Sequence, residues 1–280
     1  MIDGTSPLID AYWASEEPDH HGSESDPKVD EAKAKLGAFF AQNSKQVFFE
    51  QQLKVILEDE FFHWVTTRAL RLLVAQGHLA TDLVVSKPFS VRFYRMPDHR
   101  YWKRQAREIL ALIAEYSAPS FTGPLGQHGE LMFDAAFPTA GFLPTGRDVT
   151  SFGGRTWTKS GEDLDRCFTR DGITYGAEIK NTLSYIPREE LTSKLEMCAF
   201  LGLRPLFIAR MHPKSYIEEI REAGGYALVF KWQLYPLGSA DLARRVRERL
   251  GLTVDCPKAI AEGTVKRFLN WHLKTLSGTS

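Results

Sequence analysis

Apolar and polar positions alternate toward the end of Ile173-Thr174-Tyr175-Gly176-Ala177-Glu178-Ile179-Lys180, and that period of two predicts a strand over 173–180. Just before it, Asp165 opens a short apolar segment that ends at Arg170-Asp171-Gly172. Asp-Gly between two such runs signals a hairpin, because its turn positions need positive φ. Side chains two apart share a strand face, so Glu178 and Lys180 point the same way. If the hairpin closes through Asp171-Gly172, Asp165 reaches the same end of the sheet. Two carboxylates and one ammonium then gather at one edge.

The pattern downstream is that of an α/β chain. Pro187 suits a helix start, with Leu191, Leu195, Cys198 and Ala199 as its buried stripe and Gly202 as its stop. The apolar run Pro205–Ala209 fits a strand covered on both faces. A helix over 215–223 and a strand over 226–235 follow, then two amphipathic helices within 239–276. Upstream, Tyr101–Tyr116 reads as a linking helix broken by Pro119 and Gly123-Pro124. A helix follows with Leu131, Met132, Ala135 and Ala136 as its apolar face and Glu130 near its start, where the dipole favours a carboxylate. Residues 141–161, rich in Gly and Pro, hold a possible strand at 155–159.

Nearer the N-terminus, 45–79 reads helical, with Val47, Phe48, Leu53, Ile56 and Leu57 approximating one apolar face. Thr66 or Thr67 is expected to cap a second helix, and Gly77 to end it. The runs 81–86 and 89–96 suggest a hairpin around Ser86-Lys87-Pro88. The expected organisation is an acidic mobile arm over 1–35, a mainly helical domain over 36–100, a linker helix over 101–119, a core domain over 120–238 and C-terminal helices over 239–280.

Charge changes the picture more than composition does. The chain has 280 residues and zero formal net charge. Residues 1–31 carry nine acidic side chains and only Lys28 as a base, which leaves the remainder net +8. The stretch 87–107 holds Lys87, Arg92, Arg95, Arg100, Lys103, Arg104 and Arg107 against Asp98, with Phe93, Tyr94, Tyr101 and Trp102 between them. Bases interleaved with aromatics suit a phosphate track. The adjacent His20 and His21 are expected to be solvated. Three cysteines, Cys167, Cys198 and Cys256, lack metal-ligand spacing and read as buried thiols of a cytoplasmic protein. No apolar run approaches the ~20 residues of a membrane span, and the N-terminus lacks the basic and apolar regions of a signal peptide.

The acid-hydrophobic-Asp run Glu162-Asp163-Leu164-Asp165, the turn and Glu178-Ile179-Lys180 resemble the PD-(D/E)XK nuclease superfamily. The thirteen positions between Asp165 and Glu178 match its Holliday-junction-resolvase-like branch. The resemblance covers about 120–236. It implies a restriction-endonuclease-like mixed sheet flanked by helices and metal-dependent hydrolysis of DNA phosphodiesters. Asp165 and Glu178, with the Ile179 carbonyl, would hold Mg²⁺ or Mn²⁺. Lys180 would act on the attacking water, and Glu130 matches an acidic position of the preceding helix. Asp163 and Glu162 stay open as rivals to Asp165. Lys194 is a candidate extra basic group, and Arg210 a phosphate contact. Residues 40–98 resemble a winged helix-turn-helix, which would present His63, Trp64, Thr66, Thr67 and Arg68 to DNA, with Arg92, Arg95, Lys103 and Arg104 nearby. Arg147, Arg155 and Lys159 are possible DNA contacts too. A homodimer would supply a site for each strand. An inactive DNA-binding regulator and an RNA-processing nuclease remain the alternatives.

Overall fold

The computed structural model describes residues 26–86 and 89–278. His20, His21, Lys87, Pro88 and most of the acidic arm lie outside the described residues. The described chain forms two compact units, one of residues 26–121 with 245–252 and one of residues 122–244 with 253–278.

The first unit runs α1 (Pro27–Gln42), β1 (Val47–Phe49), α2 (Glu50–Leu57), α3 (His63–Ala75), β2 (Ala80–Ser86), β3 (Phe89–Arg95) and α4 (Trp102–Tyr116). Residues 27–35, assigned to the arm from sequence, instead form the start of α1. Asp26 caps that helix through Lys28 N–H at 2.9 Å, and Val29, Ala32, Leu36 and Phe40 are its buried stripe. Val47 and Phe48, expected in a helix, lie in β1, which pairs antiparallel with β3. β-branched and aromatic side chains favour that extended state. Sheet order is β1-β3-β2. Gln105 of α4 accepts from Val47 N–H at 3.1 Å and donates to the Lys45 carbonyl at 2.8 Å, fixing α4 on β1.

The second unit is built on a five-stranded sheet. Its strands are β4 (Leu143–Val149), β7 (Leu164–Arg170), β8 (Ile173–Lys180), β9 (Arg204–Ala209) and β10 (Tyr226–Val229), in the order β10-β9-β8-β7-β4. Pairings β4–β7 and β7–β8 are antiparallel, and β8–β9 and β9–β10 are parallel. The parallel pairs are linked by α6 (Arg188–Leu201) and α7 (Lys214–Glu222). Together with α5 (Pro119–Ala136) and α9 (Glu262–Leu276), these helices cover a mixed sheet in an α/β architecture. Short β5 (Ser151–Phe152) and β6 (Arg155–Thr156) pair with each other.

Several elements depart from the sequence reading. β4 was hidden by Pro144 and Gly146; it is an edge strand with a bulge there, where proline is tolerated. Pro124 lies inside α5 rather than ending a break. The strand expected over 226–235 divides into β10 and β11 (Gln233–Leu234), and β11 pairs with β12 (Val254–Asp255). α8 (Ala240–Leu250) and α9 do appear, yet α9 is no appendage: Val265 and Phe268 belong to the same core as Phe133, Phe137, Phe168 and Tyr175. No helix among the described residues is long and apolar enough to cross a membrane. Cys167 and Cys198 are buried and Cys256 is partly buried.

Candidate active site and basic surface

The β7–β8 hairpin closes as the sequence required. Asp171 and Gly172 have φ of 48° and 75°, between the paired residues Arg170 and Ile173. The last backbone pair at the open end is Arg166 with Ala177. Beyond it the Asp165 carboxylate takes the place of a strand partner and accepts the Ile179 amide at 2.6 Å. Tyr175, Ala177 and Ile179 pack into the core formed with α5 and α9. Alternation therefore turns Gly176, Glu178 and Lys180 to the α6 face. Gly176 permits close packing there: a Cβ would meet Leu164 Cδ1 at 2.7 Å and Cys198 Sγ at 3.0 Å.

That close approach brings α6 side chains onto the Glu-Ile-Lys strand. Lys180 Nζ lies 2.8 Å from Glu178 Oε1 and 2.6 Å from Glu190 Oε1. Lys194 Nζ lies 2.7 Å from Glu178 Oε2, with angles outside hydrogen-bond geometry, and also donates to the Asp163 carbonyl. Glu178 is only 1% exposed. Burial opposes its ionisation, but Lys180 and Lys194 outweigh burial and hold its carboxyl below the ordinary range. Burial raises Glu190, with Glu178 adding to the effect and Lys180 opposing it. Lys180 is raised: burial pulls it down, but Glu178 and Glu190 prevail. It is therefore an ammonium in this state, suited to holding positive charge and not to accepting a proton.

Asp165 behaves differently. Burial and the neighbouring Glu178 charge push its carboxyl up to about 7, against the Ile179 amide and the two lysines. Burial is the larger cause and the Glu178 charge the second, and a cation beside both carboxylates would oppose each of them. The structure thus brings Asp165, Glu178 and Lys180 together, and adds Glu190 and Lys194. Glu190 was missed from the sequence, although its place one turn before Lys194 on a helix following the strand was a usable signal. Among the described residues, no group of three or more His, Cys, Asp or Glu side chains is drawn together as a metal site. Glu162 is occupied by the Ser160 and Ser193 hydroxyls.

Glu130 does not join this group. It pairs with Arg166 at 2.8 Å, while Arg166 Nε also binds Asp134 at 2.9 Å. Arg166 is 2% exposed and its side chain is committed to α5, next in sequence to Asp165 but turned away from Glu178. A buried guanidinium requires carboxylates, and α5 supplies them. α5 is held close to β8 through Gly129, where a Cβ would meet Asn181 Cβ at 2.7 Å. Arg210, expected to meet phosphate, is also 2% exposed and binds the Leu183 carbonyl and Thr253 Oγ1, each at 2.9 Å. Arg147 is exposed; Arg155 donates to the Phe200 carbonyl, and Lys159 pairs with Glu196.

In the first unit α3 starts at His63, so Thr66 and Thr67 are not caps. His63 and Thr66 are buried, His63 beside Glu58 at 3.5 Å, and cannot present their side chains to a ligand. Thr67 donates to Glu50 Oε1 at 3.1 Å, and Tyr94 to Glu50 Oε2 at 3.0 Å. Burial alone would raise the Glu50 carboxyl, but Lys54 and these donors hold it below its ordinary range. Arg68 is half-buried, and Arg71, one turn on and absent from the sequence reading, is exposed. Arg92, Lys103 and Arg104 are exposed. Arg95 is tied to Asp82 at 3.2 Å and lies over Trp102 at 5.1 Å. No protein-family model, curated protein or solved structure matches the chain.

Proposed function

We propose that this chain is a metal-dependent DNA endonuclease of the PD-(D/E)XK kind, with the first unit acting as a winged-helix reader. One observation carries the reading: the Asp165 carboxylate accepts the Ile179 amide at 2.6 Å at the open end of the hairpin, between Glu178 and Lys180 in sequence, with Lys180 Nζ 2.8 Å from Glu178. The strand order and the α5-β4-β7-β8-α6-β9 succession agree with a restriction-endonuclease-like core. The α1-β1-α2-α3-β2-β3 succession agrees with a winged helix, α3 being its recognition helix.

The donor set fits a hard cation. Asp165 and Glu178 offer carboxylate oxygens, and Glu178 Oε2 is buried with the Lys194 ammonium 2.7 Å away but outside hydrogen-bond geometry. These two residues would hold Mg²⁺ or Mn²⁺. When bound, such an ion supplies Lewis-acid polarisation of the scissile phosphoryl group. The Ile179 amide fixes the Asp165 carboxylate in orientation. Lys180, steadied by Glu178 and Glu190, keeps an ammonium beside the reacting phosphate and favours the ionised form of the attacking water. Lys194 neutralises Glu178 on its other oxygen.

Plasmid, duplex, branched and single-stranded DNA, each with and without Mg²⁺, test the proposal. Cleavage is expected only with the ion, to be lost in Asp165→Asn and Glu178→Gln, and to be lost in Lys180→Ala with DNA binding retained. An Asp165→Asn protein that cuts as fast as the parent refutes it. The double clamp of Lys180 and Lys194 on Glu178 favours one other reading, a DNA-binding regulator whose core does not cut. DNA binding without ion-dependent cleavage would establish that reading instead.

A further inference from the structure

The chain turns sharply after β10. Lys231 has φ of 70°, and the Trp232 amide donates to the Phe230 carbonyl at 2.9 Å. A bond from residue i to i+2 around a positive φ makes a γ-turn of the rare, strained form. A lysine gains nothing locally from that conformation, which glycine would adopt freely. The surrounding backbone imposes it. Phe230 N–H donates to the Ala209 carbonyl at 3.2 Å, Lys231 N–H to the Arg210 carbonyl at 3.1 Å and Gln233 N–H to the Thr253 carbonyl at 2.8 Å. Arg210, itself buried, ties the same region to Leu183 and Thr253.

The side chains at the tip of this over-determined turn reach solvent. Trp232 is 42% exposed. Lys231 is exposed and has no ion-pair partner among the described residues. The turn is also tied to the candidate active site. Gln233 donates from Nε2 to the Asn181 carbonyl at 3.1 Å, and Asn181 Oδ1 accepts the Leu234 amide at 2.7 Å. Asn181 follows Lys180 directly, so Trp232 and Lys180 each lie one residue from the Gln233–Asn181 bond.

We propose that Trp232 is a stacking platform for an unpaired base of the substrate, with Lys231 meeting the adjoining phosphate. This rests on the nuclease reading and narrows its substrate class. An indole and an ammonium on a rigid turn match the two surfaces of a single nucleotide, its π face and its phosphate. Inside a continuous duplex both faces of each base are covered by neighbouring pairs. The preferred substrates are therefore single strands, flaps or branched DNA. Gln233 and Leu234 bond to Asn181, so the platform is carried on backbone joined to the residue after Lys180.

The test is fluorescence anisotropy on the full chain in EDTA, with labelled single-stranded, forked and continuous duplex DNA of one sequence. Trp232→Ala and Trp232→Leu are expected to weaken single-strand and fork binding about tenfold and to leave duplex binding unchanged. Trp232→Phe is expected to keep most of the affinity, because a ring remains. Matched thermal melting shows that each variant is folded. Equal affinity of parent and Trp232→Ala for all three DNAs overturns the platform, as does an equal loss on all three, and both leave the nuclease reading intact. A parent that shows the Trp232-dependent preference but never cuts with Mg²⁺ supports the platform and overturns the nuclease reading. A parent that binds none of the DNAs overturns both.

Discussion

Lys194 Nζ sits 2.7 Å from Glu178 Oε2, opposite the Lys180 ammonium at Oε1. A glutamate 1% exposed is kept ionised from two sides by residues of two different elements. Removing one partner of a buried pair costs about 3–5 kcal/mol when nothing replaces it. Lys180 remains in Lys194→Met, so a loss of about 2–3 kcal/mol is expected in urea denaturation. An unchanged midpoint would mean that Lys194 does not stabilise Glu178.

Asp165 sets a pH dependence with a definite sign. Its carboxyl rises from 3.8 to about 7 on folding. Between those values the folded chain binds a proton that the unfolded chain has lost. Stability therefore falls as pH rises through this window and stays lower above it. Asp165→Asn is expected to be more stable than the parent at pH ~8 by about 2–4 kcal/mol and to converge with it below pH ~4. Thermal melts across pH read the difference. Mg²⁺ is expected to raise the parent midpoint at pH ~8 and to leave that of Asp165→Asn in place.

His212 acts in the opposite direction. Burial lowers its pKa from 6.5 to about 4, and its ring lies 3.3 Å from the Phe207 carbonyl. Its contribution is full above pH ~6.5 and is lost as pH falls toward ~4, by up to about 3 kcal/mol. His212→Gln cannot titrate, and is expected to flatten the acid limb of the stability curve between those values. A limb as steep as the parent's would assign the acid sensitivity to other groups.

Gly176 is the contact on which α6 closes. A methyl there meets Leu164 Cδ1, Cys198 Sγ and Leu203 Cδ1 at 2.7, 3.0 and 3.2 Å. Gly176→Ala is expected to cost about 1–3 kcal/mol in denaturation. It should also lower cleavage under conditions where the protein stays folded, because α6 carries Lys194 and Glu190.

On the first unit, exposed and buried polar residues should separate cleanly. Arg92→Ala is expected to weaken DNA binding and to reduce the slope of log affinity against log salt by about 1. His63→Ala should lower the melting temperature and leave that slope unchanged. A salt slope altered only by His63→Ala would invert the assignment of the surface.

The β7–β8 hairpin was legible because its information is local. Asp171-Gly172 supplied the turn, and alternation put Glu178 and Lys180 on one face. The stripe of α6 was legible in part: Leu191 and Cys198 are buried as read, but Ala199 is exposed and Met197 and Leu201 are buried in its stead. β4 was not, because Pro144 and Gly146 argue against a strand until its place at a sheet edge is known. The N-terminal helical reading failed at Val47–Phe49 because short apolar runs fit either period.

What the sequence determined by itself was the spacing of acidic and basic groups along two strands and the helix, strand, helix and strand that follow them from Arg188 to Val229. Only the tertiary structure decided which of those groups meet. It gave Glu130 to Arg166, buried His63 and Thr66, and delivered Lys194 and Glu190 to the Glu-Ile-Lys strand. Periodicity fixes the face on which a side chain lies within its own element. The partner opposite that face comes from packing between distant segments, through approaches as close as those at Gly129 and Gly176.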